Sequence, residues 1–520
     1  MHTIISTRTI LAGGVAALAL PFAAPFPAHA AQTTPAKPTV SKIAPPTLAR
    51  PMLAPPIQTQ TAATPQVAAP ILTPAVALPK LTDAQATQLA TLLEADVTGQ
   101  GLAALPPTPV TGADGTRLIR QALDHARAVH AGRLETVDFQ EDWGLRPPAY
   151  DPLPGFAAAV RADRIAAWFA SLPPPYAGYD GLKAGLARYR ALATSGGWGT
   201  IAAGPDMNIG TSGPRVIALR KRLAVEDRDT NVSGDSYDVG LVDAVRRAQR
   251  RYGLNPSGIV STQTLAALNV PAEARVRQIM ANMERWRWLP QVMPSDRIQV
   301  NIAAAVLTLF DGDKPIQSMR AVTGRPGDET PMLSSTIHSI VINPPWNVPT
   351  SIATKELWPK EKRNPGYLKR AGFKVIDGTR LQQQAGDQSA LGRFKFDFAN
   401  PYSVYLHDTP SRAKFASFDR LASHGCVRLE KPGELAETLL SGDPAWTAET
   451  IAATIEKGDT VRAKLVKPVA VYLLYWTAFA SGNGQMNFRN DPYDWDGKLA
   501  AKIEARTARQ TQIAQTLAAR

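Results

Sequence analysis

Ser423-His424-Gly425-Cys426-Val427-Arg428-Leu429, preceded by Tyr405-Leu406-His407-Asp408-Thr409-Pro410, decides how this chain reads. Cys426 is the only cysteine among 520 residues. Val404-Tyr405-Leu406-His407 reads as a short apolar strand that delivers His407 to its end, and Gly425 permits a tight turn immediately before the sulfur. A thiol attacks as thiolate and an imidazole takes its proton, so His407 and Cys426, 426 − 407 = 19 positions apart, have the composition of a nucleophile and its base. Spacing alone is weak: a buried structural cluster or an adventitious metal site also fits one histidine and one cysteine. A closed zinc site takes four ligands and no second cysteine exists, so neither a metal nor a cofactor is expected.

The two segments together closely resemble the signature of the YkuD-type L,D-transpeptidases, cysteine enzymes that cross-link peptidoglycan. Both histidines, the serine, the glycine and the cysteine fall where that family has them. The order of the flanking regions is similar to the large periplasmic YcbB-like branch, and the resemblance extends over roughly residues 81 to 495. It implies an enzyme with Cys426 as nucleophile and His407 as base, the ring of His407 being held by the backbone carbonyl of Asp408 and not by its side chain. It further implies oxyanion stabilisation by the backbone N–H groups of Gly425 and Cys426 with help from Tyr405. Ser423 and His424 would shape the acceptor side, and Arg428 can grip a stem-peptide carboxylate through a bidentate pair. Asn343-Pro344-Pro345-Trp346-Asn347-Val348-Pro349 matches a segment that lines the substrate cleft in the family, which adds Trp346 to the substrate-binding residues.

Outward from the motif, the period of the apolar residues is two. Ile298, Val300 and Ile302 alternate, Val306 to Phe310 follows, Asp311-Gly312-Asp313 supplies a turn, and Ala321 to Gly324 and Ser339 to Asn343 extend a sheet. Val469 to Thr477 reads as a closing strand, followed by Phe488-Arg489 and the acidic residues Asp491 and Asp494. Residues 350–400 interrupt the strands with a polar, helix-prone insertion between two cleft-forming segments, the position of a lid. The family fold implied is a sandwich of mixed sheets.

Upstream the pattern is helical. Thr82 can cap a helix whose apolar face includes Leu89, Leu92 and Leu93, and Leu118, Ile119 and Leu123 continue the period in the next. His125 and His130 in this region lack any accompanying carboxylate or cysteine pattern and read as structural. Pro214, Val239 and Thr262 open three short helices, and Gly253-Leu254, Gly258 and Leu268-Asn269 resemble the peptidoglycan-binding repeat PG_binding_1. Ser257 stands where that repeat commonly has an acidic residue, so glycan binding and a packing role are both open. Trp286 and Trp288 supply buried area between domains.

The expected organisation is α+β and multidomain: signal peptide 1–30, Pro/Ala-rich linker 31–80, helical scaffold 81–204, peptidoglycan-binding-like module 205–270, connecting helix 271–294, catalytic domain 295–465 with the lid insertion at 350–400, and a closing strand and helix 466–520. Met1 to Ala30 carries Arg8, an apolar stretch from Ile10 to Phe22 and the small-residue pattern Ala28-His29-Ala30, a secretory signal, which predicts a periplasmic protein with no membrane span in the mature chain. A lone cysteine in an exported chain forms no internal disulfide, which favours a reactive thiol. The net charge of +13 suits anionic surroundings, yet no lysine and arginine run is dense enough for a nucleic-acid arm.

The expected partners are peptidoglycan stem peptides and, by resemblance, carbapenem-type inhibitors. The expected activity is L,D-transpeptidation through a cysteine thioester. Alternatives are an L,D-carboxypeptidase, an enzyme that anchors an outer-membrane protein to the wall, and a noncatalytic wall-binding protein.

Overall fold

The computed structural model describes residues 77–102 and 115–518, with side chains to residue 509; the expected signal peptide and nearly all of the linker lie outside the described residues. The first helix, Asp83–Gly99, starts because Thr82 accepts from the Gln85 N–H at 3.2 Å while the Gln85 side chain accepts from the Thr82 N–H at 3.2 Å, a reciprocal capping box. Helices Gly115–Ala131, Leu153–Arg161, Ile165–Ala170 and Ala177–Thr194 follow. Leu89, Leu93, Leu118, Ile119, Phe156 and Phe169 form the core of this scaffold. His125 is buried there, 2.8 Å from Asp96 and stacked on Phe169, and His130 stacks on Tyr150.

Helices Pro214–Ala224, Val239–Arg251 and Thr262–Leu268 build the next module. Its centre is ionic: the buried Glu226 accepts from Arg222 at 2.9 Å, lies 3.5 Å from Arg251, and accepts from the Tyr189 and Tyr252 hydroxyls. Burial alone would raise this carboxyl, but the two guanidiniums and two phenols outweigh it and hold it down at about 2. Tyr189 comes from the scaffold, and the Phe488 ring meets both Tyr189 and Tyr252, so the module is fastened on two sides. Beyond it, helix Ala272–Trp286 stacks Trp286 on Trp476 at 4.5 Å, and Trp288 is buried against Trp143 and Phe139.

Nine strands make the C-terminal sheet. Their spatial order is Leu421–Ser423, Lys314–Gly324, Val427–Leu429, Leu406–His407, Phe394–Phe398, Leu333–Ile342, Val461–Leu474, Arg297–Asn301 and Val306–Asp311. The last pairs back onto Lys314–Gly324, so the pairing runs round a closed ring. It is mixed: Leu406–His407 runs parallel to Val427–Leu429 and Arg297–Asn301 parallel to Val461–Leu474, while most other neighbours are antiparallel. Alternation packs Ile298, Val300, Leu307, Ile340, Phe396, Leu406, Val427 and Leu473 inward.

The insertion carries short helices at Thr350–Ile352, Trp358–Arg363 and Tyr367–Arg370 and a π-helical turn at Ala353–Leu357. Two features differ from expectation. It also holds a three-stranded sheet of Trp346–Asn347, Arg380–Gln383 and Phe373–Ile376, and it ends earlier than residue 400, because Phe394–Phe398 is a strand of the ring. Ala353, Leu357, Leu368 and Leu381 give it a small core separate from the main one. Among the described residues, no helix is long and apolar enough to cross a membrane.

Candidate active site

The parallel pair of strands sets the site. Leu406 lies opposite Val427 and His407 opposite Arg428, so Cys426 falls beside Tyr405, whose carbonyl accepts the Val427 N–H at 3.1 Å. His407, Cys426, Tyr405 and Arg428 line one cleft of about 1460 Å³. His407 is buried and its Nδ1 lies 2.5 Å from the Asp408 carbonyl oxygen. A carbonyl only accepts, so Nδ1 carries the hydrogen and Nε2 keeps a lone pair. Burial, reinforced by the nearby charges of Arg428 and Lys395, pushes this imidazole down to about 3, and it is neutral at pH 7. Burial also pushes the Cys426 thiol up, against the opposing pull of hydrogen bonds from Tyr405 and the cations of Lys395 and Arg428. The resting pair is therefore a thiol and a neutral imidazole, an arrangement in which the proton can move as the sulfur attacks.

The Asp408 carboxylate is committed elsewhere: it accepts from the backbone N–H groups of Arg393 and Thr409, each at 2.7 Å, and from Arg412. The turn before the sulfur requires glycine, since Gly425 has φ of +102° and an added Cβ would meet the Glu329 carbonyl oxygen at 3.2 Å. Ser423 spans this turn, accepting the Gly425 N–H at 3.2 Å and donating to the Cys426 carbonyl at 2.5 Å. The Gly425 N–H, expected to face an oxyanion, is thus already used inside the turn. Of the other expected donors, the Cys426 N–H is not used in this way, and the Tyr405 hydroxyl is turned to the Cys426 sulfur at rest.

Around the cleft, Tyr405 shares side-chain hydrogen bonds with Cys426 and Trp346, and Lys395 Nζ sits 4.4 Å from the centre of its ring. Arg428 presents a guanidinium whose buried Nε has no hydrogen-bond partner. His424 faces the insertion: its Nε2 is 2.6 Å from Glu356 and 3.2 Å from Arg325. Trp346 and His407, far apart in sequence, border the same cleft, with Glu356, Tyr367 and Phe373 of the insertion completing its wall.

Residues 295–461 match the family model of the L,D-transpeptidase catalytic domain, YkuD. This span is similar to the catalytic domain of the YkuD-type L,D-transpeptidases. Residues 212–268 match the PG_binding_1 model, described as "Putative peptidoglycan binding domain", and residues 77–186 match a scaffold domain. A "Putative L,D-transpeptidase" of Haemophilus influenzae is 32% identical over 249 residues, covering 44% of this chain and 50% of the relative. The chain thus matches about half the length of this curated relative. Among solved structures, an L,D-transpeptidase from Stackebrandtia nassauensis shares 13% identity over 53% of this chain and 96% of its own, with a TM-score of 0.22. L,D-transpeptidase 3 from Mycobacterium tuberculosis, in complex with a faropenem-derived adduct, shares 16% identity over 35% of this chain and 60% of its own, with a TM-score of 0.19.

The structure brings the residues singled out from the motif to one cleft and to the turn that supports it, and adds others that reach it from elsewhere in the chain. Thr330 Oγ1 donates to the Gly425 carbonyl at 2.7 Å and accepts the Gly324 N–H at 2.8 Å, while the Tyr493 hydroxyl donates to the Gly324 carbonyl at 2.5 Å. These two residues brace the turn that carries the thiol. Tyr493 reaches the site from 169 positions beyond Gly324 with no local pattern. Asp491 accepts from the Tyr475 hydroxyl at 2.6 Å and from the N–H groups of Trp495 and Asp496, so it is a helix cap. Glu356 had no motif at all.

Proposed function

We propose that the protein is an exported, periplasmic L,D-transpeptidase that cross-links peptidoglycan stem peptides. The observation that carries this reading is the His407 imidazole, fixed by the Asp408 carbonyl with its Nε2 lone pair free, on the strand next to Cys426 and in the same cleft. As Cys426 Sγ attacks the carbonyl after the third residue of a tetrapeptide stem, its proton passes to His407 Nε2. The Cys426 N–H and the Tyr405 hydroxyl support the developing oxyanion, donors of a kind worth about 3 to 4 kcal/mol each. Collapse breaks the peptide bond, and the imidazolium returns its proton to the departing D-alanine amine, leaving a thioester.

An amine of a second stem then attacks the thioester, the carbon–nitrogen bond forms, and the sulfur leaves. Ser423 holds the turn and His424 lies on the acceptor side. Arg428 lines the cleft and its guanidinium is offered as the partner of a stem-peptide carboxylate, and Trp346 supports the substrate through the wall it shares with Tyr405. β-Lactams of the carbapenem class would acylate the same sulfur. Close fastening of the three-helix module favours packing as one of its roles, with glycan contact on its outer face open to direct measurement. Mass spectrometry of muropeptides after incubation with purified protein tests the reading. Dimers joined between third-position residues support it; tripeptide alone indicates a carboxypeptidase, a protein-linked muropeptide an anchoring enzyme, and no reaction a wall-binding protein.

A further inference from the structure

Glu356 stands on the π-helical turn Ala353–Leu357 of the insertion, an irregularity that widens the helix locally and is frequent where a side chain has to be re-aimed. Its Oε1 is 2.6 Å from His424 Nε2, both residues are partly exposed, and both line the cleft that holds Cys426. Arg325 Nη2 is 3.2 Å from the same nitrogen, but its Nε is paired with Asp328 at 2.7 Å and it lies 3.9 Å from Glu356. A ring nitrogen cannot both donate and accept, and the shorter contact to an anionic acceptor decides the tautomer: Nε2 carries the hydrogen, and Nδ1 keeps the lone pair. This is the pattern of a histidine oriented by a carboxylate. His407 differs, because its partner is an uncharged carbonyl and its surroundings are cationic.

We infer that Glu356 is a positioning residue for the second half-reaction, so that the site has two histidine bases with separate duties. The inference rests on the transpeptidase reading above and extends it to a residue of the insertion. An acceptor amine arrives mostly as ammonium and must lose a proton to solvent before attack, then a second as its nitrogen bonds to the thioester carbon. His424 Nδ1 takes that second proton, and the imidazolium is balanced by the Glu356 carboxylate. The carbon–sulfur bond breaks, its electron pair returns to Cys426 Sγ, and the proton finally neutralises the thiolate. Because Glu356 belongs to the insertion and His424 to the turn of the thiol, the base for transfer is complete only while the insertion is seated on the cleft.

The test separates the two half-reactions in the full-length enzyme. Acylation is followed by intact mass with a carbapenem, and partition of the acyl-enzyme by the ratio of dimer to tripeptide formed from a disaccharide-tetrapeptide. Glu356→Gln is expected to acylate within about twofold of wild type while the dimer-to-tripeptide ratio falls by about tenfold or more, less than the roughly 10² to 10⁴ for loss of a general base because His424 itself is retained. Glu356→Asp should recover part of that ratio. An unchanged ratio in Glu356→Gln overturns the inference, and so does a parallel loss of acylation and transfer, which would make Glu356 a support for the whole site. If wild-type protein neither acylates nor releases D-alanine, the transpeptidase reading itself falls and the inference with it.

Discussion

Replacing His407 with glutamine removes the ring that can accept the thiol proton. A thiol with an ordinary pKa near 8.5 would be only about 3% thiolate at pH 7. Burial raises the Cys426 thiol further, so the fraction preformed is smaller still. The proton has to leave during attack, and loss of the base is expected to slow acylation at pH 7 by about 10² to 10⁴. The two proteins should also differ in their pH dependence. In the variant the rate follows the thiolate fraction and rises about tenfold per pH unit between pH 6 and 8. In wild type the imidazole has a lowered proton affinity, because burial and the cations of Arg428 and Lys395 oppose its charging, and it stays competent until the pH nears its value of about 3. Wild-type acylation should therefore be nearly level from pH 7 down to pH 5. Time-resolved intact mass with a carbapenem over pH 5 to 8.5 measures both curves. A variant within about threefold of wild type at pH 7, a variant rate independent of pH, or a wild-type inflection near 6.5 would refute the reasoning.

Deleting the insertion between Val348 and Leu391 with a short linker should lower turnover far more than it lowers the unfolding temperature, since the segment has its own small core; unchanged turnover in a folded deletion protein would leave no lid. Arg428→Met should raise the KM for a tetrapeptide donor by about tenfold or more with a smaller change in kcat, the loss of a charge-assisted pair worth about 1.5 to 3 kcal/mol; an unchanged KM would remove Arg428 from substrate binding. Glu226→Gln should cost about 3 to 5 kcal/mol at pH 7 by leaving Arg222 and Arg251 without their shared carboxylate. The folded pKa of Glu226 is depressed, so its contribution is present above about 4.5 and is lost as the pH falls toward 2; the gap between the two proteins in denaturant midpoint should narrow on acidification, and a gap independent of pH would contradict the network.

The site was legible where its chemistry is local in sequence. Gly425, Cys426 and His407 could be read because a turn before the sulfur needs a positive φ and a strand before the imidazole needs apolar residues, and both demands leave marks within a few positions. The scaffold helix at Thr82 was legible for the same reason, through its capping box. Contacts between distant elements left no such mark. Closure of the ring depends on Lys314–Gly324 pairing with both Val306–Asp311 and Val427–Leu429, and only Ala321 to Gly324 of it looked like a strand, because Lys314, Gln317, Ser318 and Arg320 face solvent or the rim. The long strand Val461–Leu474 was read only from Val469 onward: basic residues and Pro468 obscure its first half, and the register shifts between Lys464 and Val469, where a proline lacking an N–H is tolerated. The commitment of the Gly425 N–H to Ser423, and the reach of Glu356 and Tyr493 into the site, are consequences of tertiary placement alone.

The most direct test of the central claim is muropeptide analysis after incubation of disaccharide-tetrapeptide with wild-type protein and with Cys426→Ala. Wild type should release D-alanine and form dimers joined between third-position residues, and Cys426→Ala, correctly folded by circular dichroism, should do neither. Dimers or free D-alanine from Cys426→Ala, or their absence with wild type, would contradict it.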